Sequence, residues 1–326
     1  MVEGVAPVSN LAERSKKRPL LVDLLIRLVK EKPLGLIGGI IFLVLLFTGI
    51  FANQLAPHAM NEVNLLARLQ PPSVHYWFGT DTVGRDMLSQ VIYGARVSMI
   101  VGMAAMSLSI IVSVAIGMPS GFFGGTFDLI VQRIVDAWMC FPGLIILISV
   151  MSILGPGMWQ MIIVLGISGG IGGSRIIRSA VIGLKENIYI TASVAVGTPT
   201  LKILIRHIIP NILAPIIIMF SIGIGGVILT EASLSFLGYG IPPPQPSWGG
   251  MLSGLGREFM IQAPWMAIWP GLALSIVVFG VNMLGDAVRD LLDPRLRGGV
   301  GRYGGVKTKI KKHELDRRVI TKVPGN

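Results

Sequence analysis

Long uncharged apolar runs, each closed by Gly, Pro or Asn, dominate the chain. A helix needs about 20 mostly apolar residues to cross a bilayer, and six stretches qualify. Residues 34–52 carry no charge and are followed by Asn53, Gln54 and Pro57. Residues 97–118 form a second run, closed by Pro119 and the glycines 121, 124 and 125. The third, 127–154, carries Asp128, Arg133 and Asp136 in its first half and Pro142 near its middle. Residues 158–174, 212–230 and 263–285 complete the set. The pattern predicts an all-α polytopic membrane protein with six transmembrane helices. The first run exceeds the apolar region of a signal peptide and follows a long leader, so it reads as an uncleaved span. Ahead of it, residues 20–28 (LLVDLLIRL) put Asp23 and Arg27 at i,i+4. An amphipathic helix on the inner surface is expected there, with Pro33 separating it from the first span.

Composition agrees. Of 326 residues, 52% are hydrophobic and 14% charged, against about 25% charged in an ordinary soluble domain. That excludes a water-soluble globular domain, and intrinsic disorder with it. Cys140 is the one cysteine, and His58, His75, His207 and His313 lie far apart in sequence. Internal disulfides and cysteine metal clusters are excluded, and His58 and His75 read as solvated surface. The dipeptide Gly-Lys never occurs, so there is no phosphate-cradling G-x-x-x-x-G-K-[ST] loop, and H-E-x-x-H is absent. The residues describe a conduit, a transporter half or a receptor and not an enzyme. Energy must come from a gradient or a partner.

The net charge is +11. Seven Lys/Arg fall in residues 1–33, eleven in 289–326 and only ten between. Basic ends around an apolar middle match cytoplasmic flanks of membrane spans and not nucleic-acid binding. Segment 175–211 holds Arg175, Arg178, Lys185, Lys202 and Arg206, whereas 231–262 holds only Arg257. Both termini are therefore expected in the cytoplasm. The expected organisation is a cytoplasmic segment 1–33, a first transmembrane helix 34–56 and an extracytoplasmic segment 57–93. A five-helix core, 94–290, contains a cytoplasmic segment 185–211 and is followed by a basic tail, 291–326; the charges beyond Gly299 either adhere to anionic lipid headgroups or are disordered charge without a role.

Segment 185–211 is the most informative. Gly197, Thr198 and Pro199 interrupt it, and Leu201, Ile203, Leu204, Ile208 and Ile209 resume helical spacing up to Pro210. Two short helices around a glycine hinge are expected, with exposed apolar side chains that seek a partner. Here T-A-S-x-x-x-G, nine residues, then H-I-I-P is similar to the E-A-A-x-x-x-G-x9-I-x-L-P signature of ABC importer membrane subunits. Ala192, Gly197, Ile209 and Pro210 occupy signature positions, while Thr191, Ser193 and His207 replace its Glu, second Ala and first Ile. FGTDTVGRDM (78–87), FDLIVQRIVDAWMCFPGL (127–144), EASLSFLGYGIPPPQPSWGGMLS (231–253) and GDAVRDLLDPRLRGG (285–299) resemble the dipeptide/oligopeptide/nickel class, C-type subunit. The likeness runs over about residues 20–299; the end, 300–326, matches nothing comparable.

The resemblance implies a type I importer permease in the cytoplasmic membrane, both termini inside. It implies a heterodimer with a sister permease, two cytoplasmic ATP-binding subunits and an extracytoplasmic solute-binding protein. ATP and magnesium would sit on the ATPases, leaving this chain without cofactor or metal. The segment around Gly197 would be the coupling helix that docks into an ATPase. Cargo would be di- or oligopeptides, or alternatively nickel chelates, glutathione or sugars. An ion-coupled secondary transporter would show inverted repeats, which are absent here; a non-transporting scaffold or receptor would need no fixed spacing from Gly197 to Pro210.

Individual residues keep two readings. Arg133 and Asp136 are at i,i+3: a self-neutralised structural pair, or a gating or partner contact. Glu231 either lines the translocation path or caps the A-S-L-S-F stretch that follows. Pro142 kinks the third span, as a moving bend or a static one. Gly166, Gly169, Gly170, Gly172 and Gly173 give small-xxx-small spacings suited to close helix packing, within this subunit or across the heterodimer.

Overall fold

The computed structural model describes residues 27–292. Most of the expected amphipathic stretch 20–28, the tail 293–326 and the Asp23–Arg27 pairing lie outside the described residues. The described chain is helical, without a strand among its residues; its one isolated bridge joins Thr80 and Asp86. The main helices are α1 (Pro33–Ile50), α2 (Met87–Phe123), α3 (Gly125–Met139), α4 (Gly143–Leu154), α5 (Met158–Lys185), α6 (Ile188–Ala195), α7 (Leu213–Phe236), α8 (Trp248–Leu252) and α9 (Trp265–Leu292).

Five of these, α1, α2, α5, α7 and α9, are each long and apolar enough to cross a membrane, and α3 with α4 makes up to a sixth crossing. All six apolar runs are recovered, with corrected ends. The break at Pro33 is real: residues 27–31 are helical, Lys32 leaves the helical region, and Pro33 opens α1, where its missing N–H costs nothing. α2 begins at Met87, upstream of its apolar run, because Asp86 caps it by accepting from the Ser89 amide at 2.8 Å. It absorbs Arg96, whose guanidinium donates to Gly49 O and Asn53 Oδ1 at the end of α1, both at 2.9 Å. Pro119 does not end α2 but lies inside it, and Gly124, at φ +66°, terminates it.

The third run is the main departure. Instead of one kinked helix, α3 stops at Met139 and α4 starts at Gly143, with 86° between them. Pro142 supplies the break, since it has no N–H to give the preceding turn and forces Phe141 away from helical geometry. The pair still runs the length of the bundle. α3 begins just past Phe122, which belongs to the buried cluster at one end. Pro156, just beyond α4, lines a cavity with Asp81 and Arg85 at the other.

α2 and α5 pack along each other as the central seam, α9 packs on α1 and α7, and α2 also meets α7 and α1. The α2–α5 seam is built from small residues. A Cβ on Gly117 would lie 2.3 Å from Ser174 O, and one on Gly170 would lie 2.4 Å from the Val112 Cβ. Ser113 Oγ donates to Gly170 O across the gap at 3.0 Å. Of the glycines in α5, 166, 169, 170 and 173 therefore serve packing within this chain, and Gly172 faces open space. α1 approaches α9 the same way at Gly38, whose added Cβ would sit 2.3 Å from Gly280 O. The Lys32 ammonium meets Asp290 at 2.5 Å, and Leu28 is buried against Ala287 and Leu291. These contacts put the start of α1 and the end of α9 at one end of the bundle. Large apolar side chains such as Leu43, Phe47, Ile111, Ile276 and Phe279 remain exposed along the long helices, as a bilayer solvent allows.

Candidate functional site

The segment between α5 and α7 carries most of the residues expected to act. α6 ends in a Schellman turn: the Gly197 amide donates to Val194 O at 2.9 Å and the Thr198 amide to Ser193 O at 3.1 Å. Gly197 takes φ +79°, and a Cβ there would meet nothing within 4 Å. Glycine is needed here for backbone conformation and not for space. Pro199 then sets a new helical turn, Thr200–Ile203, which passes into a π-helical stretch, Leu204–Ile208, and a last turn, Ile209–Asn211. The expectation of two short helices about a glycine hinge describes this chain path well, with one refinement. The wider π turn lets Ile203, Leu204, Ile208 and Ile212 all face inward despite their uneven spacing.

Those four residues, with Ile190, are buried against Phe122 of α2 and Ile177 and Val181 of α5. The opposite side is apolar and exposed: Ile188 and Val196 are each 86% exposed and Leu201 68%. Thr191, Ala192, Gly197 and Pro210 are exposed, while Ser193, His207 and Ile209 are half-buried. The hydroxyls of Thr191 and Ser193 are spent on the α6 carbonyls of Ile188 (2.9 Å) and Tyr189 (2.7 Å). The His207 ring sits 6.4 Å from that of Tyr189, tying the two halves together.

Above this segment, α3 is held to α5 by two ion pairs. Arg178 donates to Asp128, which also accepts from Ser120. Arg175 pairs with Asp136. Arg133 is a weaker neighbour of Asp136, at 3.7 Å and with its side chain 75% exposed. The i,i+3 pairing thus exists but is secondary. The sequence signal for the stronger arrangement was the eight-residue spacing of Asp128 and Asp136 opposite Arg175 and Arg178. It stayed hidden because the apolar run 158–174 stops short of those arginines, whereas α5 continues to Lys185. Pro142 is exposed at the α3–α4 break.

Glu231 is not a cap, because α7 runs on through A-S-L-S-F to Phe236. It is fully buried; its Oε1 accepts from Ser235 Oγ at 2.8 Å, and its Oε2 has no hydrogen-bond partner.

At the end opposite α6, the FGTDTVGRDM stretch forms a rigid turn. Asp81 Oδ1 accepts from the Val83 and Arg85 amides, both at 2.8 Å, and Trp265 donates to Thr80 O at 3.1 Å. Gly84, at φ +74°, lies so close to Asn64 O that any Cβ would overlap it. Burial raises the Asp81 carboxyl above its ordinary value, against the opposing pull of the two amides and of nearby Arg85. The proline-rich loop 242–246 faces this turn, and Trp248 anchors it through a 3.0 Å bond to Val91 O, lying over Gly94. Among the described residues no group of three metal-ligating side chains forms. His58 is occupied by Glu62 (3.2 Å) and stacks on Tyr76.

Residues 113–298 match the family described as the binding-protein-dependent transport system inner membrane component, and residues 22–72 match the N-terminal TM domain of oligopeptide transport permease C. The chain is 39% identical over 269 residues to the dipeptide transport system permease protein DppC of Alkalihalophilus pseudofirmus, covering 82% of this chain and 88% of that one. It is 38% identical over 299 residues to the oligopeptide transport system permease protein OppC of Bacillus subtilis, covering 91% and 97%. It is 34% identical over 273 residues to the glutathione transport system permease protein GsiD of Escherichia coli, covering 83% and 90%. A solved structure of the MetNI methionine ABC transporter, in inward-facing conformations, aligns with TM-score 0.48 and 16% identity over 64% of this chain and 98% of that one. The family is one of non-enzymatic membrane subunits whose ATP hydrolysis resides in partner proteins, and it implies a paired permease, an ATPase and a substrate-binding protein. By the family match over more than half its length and by the identity to these relatives, the chain belongs to the inner membrane components of binding-protein-dependent ABC importers.

Proposed function

We propose that this chain pairs with a different sister permease, two cytoplasmic ATPases and an extracytoplasmic binding protein to import di- and oligopeptides. Cargo enters between the two permeases, and closure of the ATPases moves segment 185–211 as a lever that switches the spans between inward- and outward-facing states. Thr191, Ala192, Ser193, Gly197, His207, Ile209 and Pro210 belong to that lever; Arg133, Asp136, Pro142 and Glu231 set the behaviour of the spans it moves. Both termini lie in the cytoplasm, and ATP and magnesium are held by the partners.

The observation that carries this reading is the two-sided coupling segment. One side, through Ile190, Ile203, Leu204 and Ile208, is locked onto α2 and α5. The other offers Ile188, Val196 and Leu201 to a partner. Such a lever transmits motion only because it is fixed at one face and docked at the other. The cargo assignment draws on the dipeptide and oligopeptide relatives. The glutathione permease relative makes glutathione a second candidate, itself a small peptide.

Reconstitution of all five components in vesicles tests this, scoring uptake of labelled dipeptide, longer peptide and glutathione. Uptake that requires both ATP and the binding protein is expected. Uptake that persists without ATP and collapses with an ion gradient would overturn the mechanism. ATP hydrolysis by an assembled complex that moves none of the three would overturn the cargo.

A further inference from the structure

A cavity of about 580 Å³ opens at the end of the bundle opposite the coupling segment, a size suited to a small-molecule site. The rigid turn 81–86 supplies Asp81 and Arg85, and the first turn of α2 supplies Gln90. The end of α7 supplies Ser235, and the proline loop and the start of α8 supply Gln245 and Ser247.

Arg85 is the unexplained group. Its Nε is buried without a hydrogen-bond partner. Asp81 lines the same cavity but forms no ion pair with it; its Oδ1 is committed to the backbone of the turn. A buried guanidinium N–H without an acceptor is costly; the guanidinium fork matches carboxylate or phosphate geometry, and of these a peptide cargo offers the carboxylate. The surrounding backbone is pinned by Trp265 on Thr80 O and by Trp248 on Val91 O, and consecutive prolines stiffen the facing loop. The pocket is thus preorganised, with one cation and one carboxylate on walls that are otherwise uncharged and rich in proline and glycine. A free short peptide brings the complementary set: a terminal carboxylate, a terminal ammonium and an apolar body.

We infer that this cavity binds the free C-terminal carboxylate of a short peptide, with Arg85 as the residue that recognises it. The inference rests on the peptide-cargo reading above but concerns a separate site, formed within one subunit. It gives this chain its own contribution to cargo selection, favouring peptides with a free C-terminus near the charged turn.

Calorimetry on the assembled permease–ATPase complex, without the binding protein, tests it with alanyl-phenylalanine and its C-terminal amide. The acid is expected to bind at least tenfold more tightly than the amide. Arg85→Gln is expected to abolish that preference, and Arg85→Lys to retain part of it. Should Arg85→Gln fail to assemble, Arg85→Lys against wild type carries the comparison through the acid-to-amide ratio alone. Equal affinity for acid and amide, or a preference unchanged in both variants, would overturn the proposal. So would absence of binding in a complex that still takes up the dipeptide when given ATP and binding protein, and there the cargo reading would stand. Absence of both binding and uptake would remove the cargo reading and this site together.

Discussion

Gly197 makes the strictest backbone demand in the coupling segment, because its positive φ closes the α6 Schellman turn while nothing crowds its Cβ position. Alanine there should cost about 1–2 kcal/mol from the left-handed conformation alone, and asparagine less. We expect Gly197→Ala to reduce co-purification of the ATPases more than Gly197→Asn does. Equal behaviour would mean that backbone geometry at this turn does not set docking. Glu231 poses the opposite problem: its side chain is the constraint. Glutamine keeps the volume and the Ser235 bond of this buried carboxyl. Glu231→Gln should stay within about 1 kcal/mol of wild type, whereas Glu231→Ala should lose about 2–3 kcal/mol through the void and the stranded Ser235 hydroxyl. Thermal unfolding of the purified subunit in detergent checks the order. Sequence exposed Gly197 plainly, because a glycine followed by Thr-Pro has few other meanings. It misplaced Glu231, because the end of an apolar run is not the end of a helix.

Elements show why some contacts could be read and others not. Small residues in α5 were visible as spacings, and the structure assigns them to α2, where Leu108, Ser109, Val112 and Ser113 pack against them, while Gly117 in turn receives the α5 backbone at Ser174. Valine at Gly117 would overlap the α5 backbone at Ser174 and should cost about 1–3 kcal/mol by overpacking, seen as a lower unfolding temperature. The α3–α5 ion pairs could not be read, since pairing across helices depends on which faces meet, whereas i,i+3 pairing is local. Asp128 and Arg178 are half-buried near the membrane interface. Removing either alone should cost about 1–2 kcal/mol, between the values for exposed and buried pairs. Exchanging them, Asp128→Arg with Arg178→Asp, should recover part of that loss. A double variant no better than the sum of the singles would show that the pair contributes only through separate contacts. The 86° break at Pro142 was legible as a disturbance but not in its size, because a proline reveals where a helix fails and tertiary contacts decide where the chain goes next.

At the scale of the whole molecule, the contacts fix parity. Lys32 with Asp290 and Leu28 with Leu291 hold the start of α1 to the end of α9, at one end of the bundle. Gly49, at the far end of α1, touches Arg96 and Met99 near the start of α2, so α1 begins at the coupling end. The bent pair α3–α4 joins the coupling end to the cavity at Pro156, making an even number of crossings. Five crossings, with α3–α4 as a re-entrant loop, would instead place the start of α1 and the end of α9 on opposite faces. In the orientation proposed above, the Lys/Arg bias chooses the face, with segment 175–211 inside. In a Cys140→Ser background, cysteines introduced at His75 and Trp159 should react with an impermeant thiol reagent added from outside. One introduced at Val196, which is 86% exposed, should react only after the membrane is opened. Trp159 shielded from outside while His75 reacts would mean that α3–α4 turns back within the membrane, and the shared side of the two termini would fall with it.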